Sequence, residues 1–210
     1  MALTKEEITE LKKTLKEADG FYVIERIADG LSDKEWLKKV YEKGLELAED
    51  SSNYTEVADG ICKKLEDKEW AKKIYKKSEG KTEDCSEIIA LADSLCEYLE
   101  DKEWAKKIYE KAENEANKSS NYCSLANSLC EYLEDKEWAI KMYKKAEEAI
   151  DDTDSWSFYD FEALAKGLSE NLEDKEWAKK HYKHALTGIQ KIDHEEWQVK
   201  ELQEKLEKLG

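Results

Sequence analysis

One hexapeptide constrains this chain more than any other feature. Leu-x-Asp-Lys-Glu-Trp begins at Leu31, Leu65, Leu99, Leu133 and Leu172, at spacings of 34, 34, 34 and 39 residues. A fixed period of this length marks an array of small supersecondary units, each unable to bury its apolar face without a neighbour. The last interval carries five extra residues. They fall most naturally in Asp151-Asp152-Thr153-Asp154-Ser155, a polar run with the composition of a loop.

Each unit divides into two helices. The second starts after Asp33, Asp67, Asp101, Asp135 or Asp174, where a short carboxylate can accept from the free amides of a first helical turn. A Glu two residues on suits the positive end of the helix dipole and stands four residues before a Lys, as in Glu69/Lys73 and Glu103/Lys107. Trp70, Ala71, Ile74, Tyr75 and Ser78 then follow at helical spacing, and Trp104, Ala105, Ile108, Tyr109 and Ala112 repeat them. The first helix precedes the leucine. Its apolar column reads Ile88, Leu91, Ala92, Leu95 and Leu99 in the third copy, Tyr122, Leu125, Ala126, Leu129 and Leu133 in the fourth, and Phe161, Leu164, Ala165, Leu168 and Leu172 in the fifth. Strand alternation is absent. The expectation is an all-α solenoid of five helical hairpins over residues 19–190, one domain spanning 1–210. A capping helix is expected at each end, within 1–18 (Thr4 to Ala18, opened by a Thr4/Glu7 capping box) and 191–210 (Asp193 to Leu209). The Trp ladder at 36, 70, 104, 138 and 177 is expected to be the main staple between units, because a buried indole removes a large apolar area from water.

Composition agrees: 41% of residues are charged, proline is absent and only 8 residues are glycine, so helix breakers are nearly missing. A formal charge of −16 argues against a phosphate-backbone binder, which relies on clustered Lys and Arg, and leaves partners with basic surfaces as the natural complement. No apolar run approaches a membrane span, and the start has neither the basic nor the apolar region of a secretory signal. Five cysteines without a Cys-x-x-Cys pair fit a reducing, cytoplasmic setting.

The small–aromatic–small spacing of Ala71, Tyr75 and Ser78, of Ala105, Tyr109 and Ala112, and of Ala139, Tyr143 and Ala146, at 34 residues per helix-turn-helix, resembles the tetratricopeptide repeat family over roughly residues 18–190. A Sel1-like variant of that architecture is the alternative. The first helices depart from the family pattern: Cys123, Ala126-Asn127 and Cys130 stand where it has Trp, Leu-Gly and Tyr, and its glycine and closing proline are missing. The resemblance implies a concave groove lined by first helices that grips a peptide or helix of another protein. Carried to this chain, that face shows Tyr22, Arg26, Glu87, Ser94, Glu97 and Tyr98, then Asn121, Ser124, Ser128, Glu131 and Tyr132. Around these stand Asp29, Asn53, Glu56, Lys63, Lys64, Ala90, Asp160, Ala163, Gly167, Glu170 and Asn171. Small residues would form a floor that admits a ligand backbone, with Tyr and Glu as one wall.

Other chemistry is thinly supported. Cys62, Cys96 and Cys130 form one column, as core packing predicts, with Cys123 two turns from Cys130 and Cys85 in a turn. His181 and His184 share a helical face but replace the Ile or Met and the Lys of other copies, and His194 lies near the end. No nucleophile–base set or phosphate loop has supporting context, so neither catalysis nor a cofactor or metal is expected. The expected function is an interaction scaffold or adaptor, a monomer or weak homodimer, for a protein segment with basic and apolar character. Two alternatives stay open. One is an acidic decoy occupying a partner's basic surface. The other is an engineered array without a natural partner, against which the scattered cysteines and irregular fifth copy speak.

Overall fold

The computed structural model describes residues 4–18, 20–190 and 196–210. Among them there is no strand; helices pack in consecutive pairs as an all-α helical repeat. The chain forms two compact units, Met1–Ile108 and Tyr109–Gly210. The first contains α1 (Lys5–Glu17), α2 (Phe21–Asp29), α3 (Lys34–Leu47), α4 (Ser51–Gly60), α5 (Lys68–Glu79), α6 (Cys85–Ser94) and the start of α7 (Lys102–Glu115). The second contains the rest of α7, then α8 (Ser119–Ser128), α9 (Lys136–Glu148), α10 (Ser157–Asn171), α11 (Lys175–Ile189) and α12 (Glu196–Lys208).

The hexapeptide builds the corner of every hairpin. The Asp33 carboxylate accepts from the Glu35 and Trp36 amides, and Asp67, Asp101, Asp135 and Asp174 each accept from the amide of the repeat tryptophan. The preceding helix ends in a way periodicity does not reveal. After α4, α6 and α8 the coil widens to a π-helical turn, at Ile61–Leu65, Leu95–Leu99 and Leu129–Leu133. A glutamate in the left-handed region follows: Glu66, Glu100, Glu134 and, after α10, Glu173, with φ between 57° and 61°. That conformation ordinarily favours glycine, because a β-carbon there crowds the next carbonyl. The turn recovers hydrogen bonds in exchange: the Asp101, Asp135 and Asp174 amides reach back to the Leu95, Leu129 and Leu168 carbonyls, each at 3.1 Å.

The buried column of the second helices is alanine and tyrosine rather than tryptophan. Ala71, Tyr75, Ala105, Tyr109, Ala139 and Tyr143 are wholly inaccessible, whereas the five repeat tryptophans are half-buried. The Trp ladder is therefore not the main apolar staple. Alanine lets the helices approach closely, the tyrosine fills the space, and the indole lies over the seam, where its N–H stays within reach of a polar group. In three copies that group is a glutamate of the preceding second helix: Glu79 for Trp104 (3.2 Å), Glu113 for Trp138 (2.7 Å) and Glu147 for Trp177 (3.0 Å).

The five-residue insertion is a loop, as expected: residues 151–156 are turns between α9 and α10. In the first helix of the fifth copy the buried aromatic is Phe158, while Phe161 is only half-buried and lies against the rings of His181 and His184. At the ends, Thr4 and Glu7 form the expected capping box on α1, which buries no residue of its own. The last helix buries Leu202, and its Lys205 is paired with Glu162 of α10 at 2.7 Å. The expected start of that helix at Asp193, and with it His194, lies outside the described residues.

Candidate functional site

In the first unit the first helices α2 and α4 enclose a cleft of about 200 Å³. Its floor is apolar, made by Phe21, Ile24, Ala28, Val57 and the edge of Tyr41, and its rim carries Glu25, Asp29, Glu56, Asp59, Lys63 and Lys64. Gly60 is required here: a β-carbon on it would come within 2.5 Å of the Tyr41 hydroxyl. The rim is electrostatically loaded, four carboxylates against two ammonium groups. Partial burial, then the Glu25 carboxylate beside it, raise Glu56 to about 7. Lys64 is turned inward, donating to the Ala28 carbonyl and to Asp29, and so ties the two first helices together.

Asp59 marks the edge where the cleft meets the core. It accepts from the Tyr75 hydroxyl at 2.6 Å and from Ser94 Oγ at 3.2 Å. Burial pushes its carboxyl up to about 6 despite those donors. In the second unit Asn127 occupies the equivalent place, accepting from Tyr143 Oη at 2.6 Å and from Asn171 Nδ2 at 2.9 Å. A polar residue six before the repeat leucine thus receives the tyrosine hydroxyl ten after it.

The residues that the sequence placed on the binding face divide into three groups. Tyr22 is 64% exposed, and Arg26, Glu97, Ser124 and Glu131 are also open to solvent. Tyr98, Asn121 and Tyr132 are half-buried. The Lys63 ammonium lies 4.3 Å above the Tyr98 ring, so this tyrosine already carries a cation on its face. Ser94 and Ser128 are a correction: each is 7% exposed, hence part of the packing rather than a groove floor. They stand in the column of Gly60 and Gly167, where a β-carbon would strike Tyr41 or Tyr143 of the preceding hairpin, so the small side chain makes room for a tyrosine and not for a ligand. Glu87 is half-buried as well, and its carboxylate accepts from the Glu83 amide, just ahead of α6, at 2.7 Å. Asn53 likewise accepts from the Glu49 amide, ahead of α4, at 3.2 Å.

Sequence reasoning overlooked Glu25 and Asp59, although the Asp, Asp, Asn series at 59, 93 and 127 was a visible signal. It also placed Cys85 in a turn, whereas it is buried as the first residue of α6. Cys62 and Cys130 are half-buried, and Cys96 and Cys123 are buried. Burial pushes the Cys123 thiol up to about 12, which leaves it unreactive at neutral pH. His181 is 1% exposed and its ring nitrogens make no protein hydrogen bond; the nearest carboxylate oxygen, on Glu147, is 3.6 Å away. Among the described residues no helix is long and apolar enough to cross a membrane. No protein-family model, curated protein or solved structure matches the chain.

Proposed function

We propose that this protein is a non-catalytic interaction scaffold of the tetratricopeptide-like kind, which grips a partner segment of mixed basic and apolar character on the face of its first helices. The observation that carries this reading is the α2–α4 cleft, an apolar floor beneath a rim with twice as many carboxylates as ammonium groups. A Lys or Arg stem fits such a place well, burying its methylenes on the floor while its charge meets the rim. Exposed Tyr22 beside the cleft and the half-buried Tyr98 add rigid contact area.

The test is affinity capture from lysate of the source cell followed by mass spectrometry, with the wild type beside Glu25→Lys/Glu56→Lys. Proteins held by the wild type should be lost from the charge-reversed variant. An identical set of captured proteins overturns the reading. The net charge of −16 favours one rival, an acidic decoy for a basic surface. The decoy would show capture that collapses with added salt and ignores the two-residue change.

A further inference from the structure

The fifth hairpin carries a second surface that the repeat architecture does not need. Where the second, third and fourth copies place Ser52, Ser86 and Ser120, the fifth has Tyr159, and Trp156 stands just ahead of it at the end of the insertion. Both are open to solvent, Trp156 at 59% and Tyr159 at 48%. Their rings are nearly parallel, 6° apart with centroids at 6.2 Å. Phe158, wholly buried, anchors the pair from below, its ring centroid 4.1 Å from that of Tyr159 and 6.1 Å from that of Trp156.

The loop that presents them is internally braced. Asp151 accepts from the Thr153 amide and hydroxyl, at 3.0 and 2.6 Å, and Asp154 accepts from the Trp156 amide at 2.9 Å. Two large aromatics held rigidly in water contribute little to folding, but they present ready contact area at low entropic cost. The charge along their own stretch of chain has one sign. From Ile150 to Ala165 there is no Lys or Arg, while Asp151, Asp152, Asp154, Asp160 and Glu162 all fall in that stretch, and of these Glu162 is neutralised by Lys205. We propose that this acidic aromatic ledge docks an arginine- or lysine-bearing segment of a partner protein, with the cation stacked on the exposed Trp156 or Tyr159 ring and held by the aspartates of the loop. Cation–π contact and carboxylate attraction act together on such a group, whereas an anionic polymer is repelled and an uncharged ligand gains only the rings.

This surface does not depend on the α2–α4 cleft, and the two are separable by experiment. The full chain is titrated at low ionic strength with the probe peptide acetyl-Arg-Gly-Arg-Gly-Arg-amide, following the side-chain indole N–H signals by two-dimensional NMR. The Trp156 signal should move on titration. Trp156→Ala/Tyr159→Ser, which restores the residue of the other copies at 159, should weaken probe binding at least five-fold with the melting temperature unchanged. Should that variant unfold, Asp152→Lys at the exposed rim gives a second reading and should weaken binding similarly. Glu25→Gln/Glu56→Gln should leave the Trp156 response intact. The proposal is overturned if the Trp156 signal stays still, if the cleft variant alone abolishes binding, or if a peptide with Ser in place of Arg, or maltoheptaose, binds as tightly.

Discussion

The indole N–H of Trp138 donates to the Glu113 carboxylate at 2.7 Å, across the seam between two successive second helices. Lys141 and Lys145 meet the same carboxylate, each at 2.7 Å. Burial alone would push the Glu113 pKa up, but these hydrogen bonds and the Lys145 charge outweigh it and hold the carboxyl at about 2. A depressed carboxylate contributes stability that is present above its ordinary value near 4.5 and lost as pH falls through the folded value. Glu113→Ala should therefore cost about 1–3 kcal/mol at pH 7, since it leaves an indole N–H and two ammonium groups without their shared acceptor. Chemical denaturation of variant and wild type at pH 7 and pH 2.5 checks this: the difference should shrink at the lower pH, and a pH-independent difference would show that packing alone is responsible.

Asp59 behaves in the opposite sense. Its carboxyl is raised from 3.8 to about 6, so the protonated form is the one folding favours. That stability is complete below pH 3.8 and lost as pH rises through 6. Asp59→Asn reproduces the arrangement seen at Asn127, where an amide oxygen accepts the tyrosine hydroxyl. The variant should be more stable than wild type at pH 7.5, by up to about 2–3 kcal/mol, and equal to it near pH 4. Denaturant midpoints across that range measure the difference, and a variant less stable at pH 7.5 would mean that the carboxylate's hydrogen bonds from Tyr75 and Ser94 outweigh its desolvation.

His181 occupies the column of Ile74, Ile108 and Met142 but brings two polar nitrogens into it. Burial lowers its pKa, with Lys180 and His184 acting in the same direction and Glu147 against. A depressed histidine contributes stability above 6.5 that is lost as pH falls through that value toward the folded one. His181→Met should raise stability by about 1–3 kcal/mol, because it replaces an unsatisfied polar group with an apolar side chain of similar size, and the gain should grow below pH 6. Amide hydrogen exchange in α10 and α11 at pH 7.5 and 5.5 reports it directly. Equal protection in both proteins at pH 5.5 would remove this histidine from the account.

Asp33 to Asp174 as helix caps and the apolar columns of the first helices, Phe161 apart, could be read from residue type and spacing, because each depends on local chemistry that recurs from copy to copy. The loop at 151–156 occurs once and was legible from its polar composition. The face expected to bind was harder to read. Ser94 and Ser128 look solvent-ready on a helical wheel, and only the tyrosine of the neighbouring hairpin makes their column internal. Periodicity tells which way a side chain points and not what the next repeat brings to meet it. The π-helical turns were illegible for a different reason: the residue that takes the left-handed conformation is glutamate, not the glycine that usually announces it.

Those left-handed glutamates bear on how such a chain can change in length. Lys34 pairs with Glu66 at 2.9 Å and Lys68 with Glu100 at 2.7 Å, so in the first two copies the first lysine of the second helix meets the glutamate that precedes the next. Because donor and acceptor sit at fixed places in the hexapeptide, excising residues 67–100 would bring Lys34 to a chain whose next corner glutamate is still Glu66, followed directly by Asp101. Duplicating the same 34 residues would likewise create a new pair and orphan none. The consequence is modularity at this junction: the 67–100 cassette can be removed or repeated without a new kind of corner having to be invented.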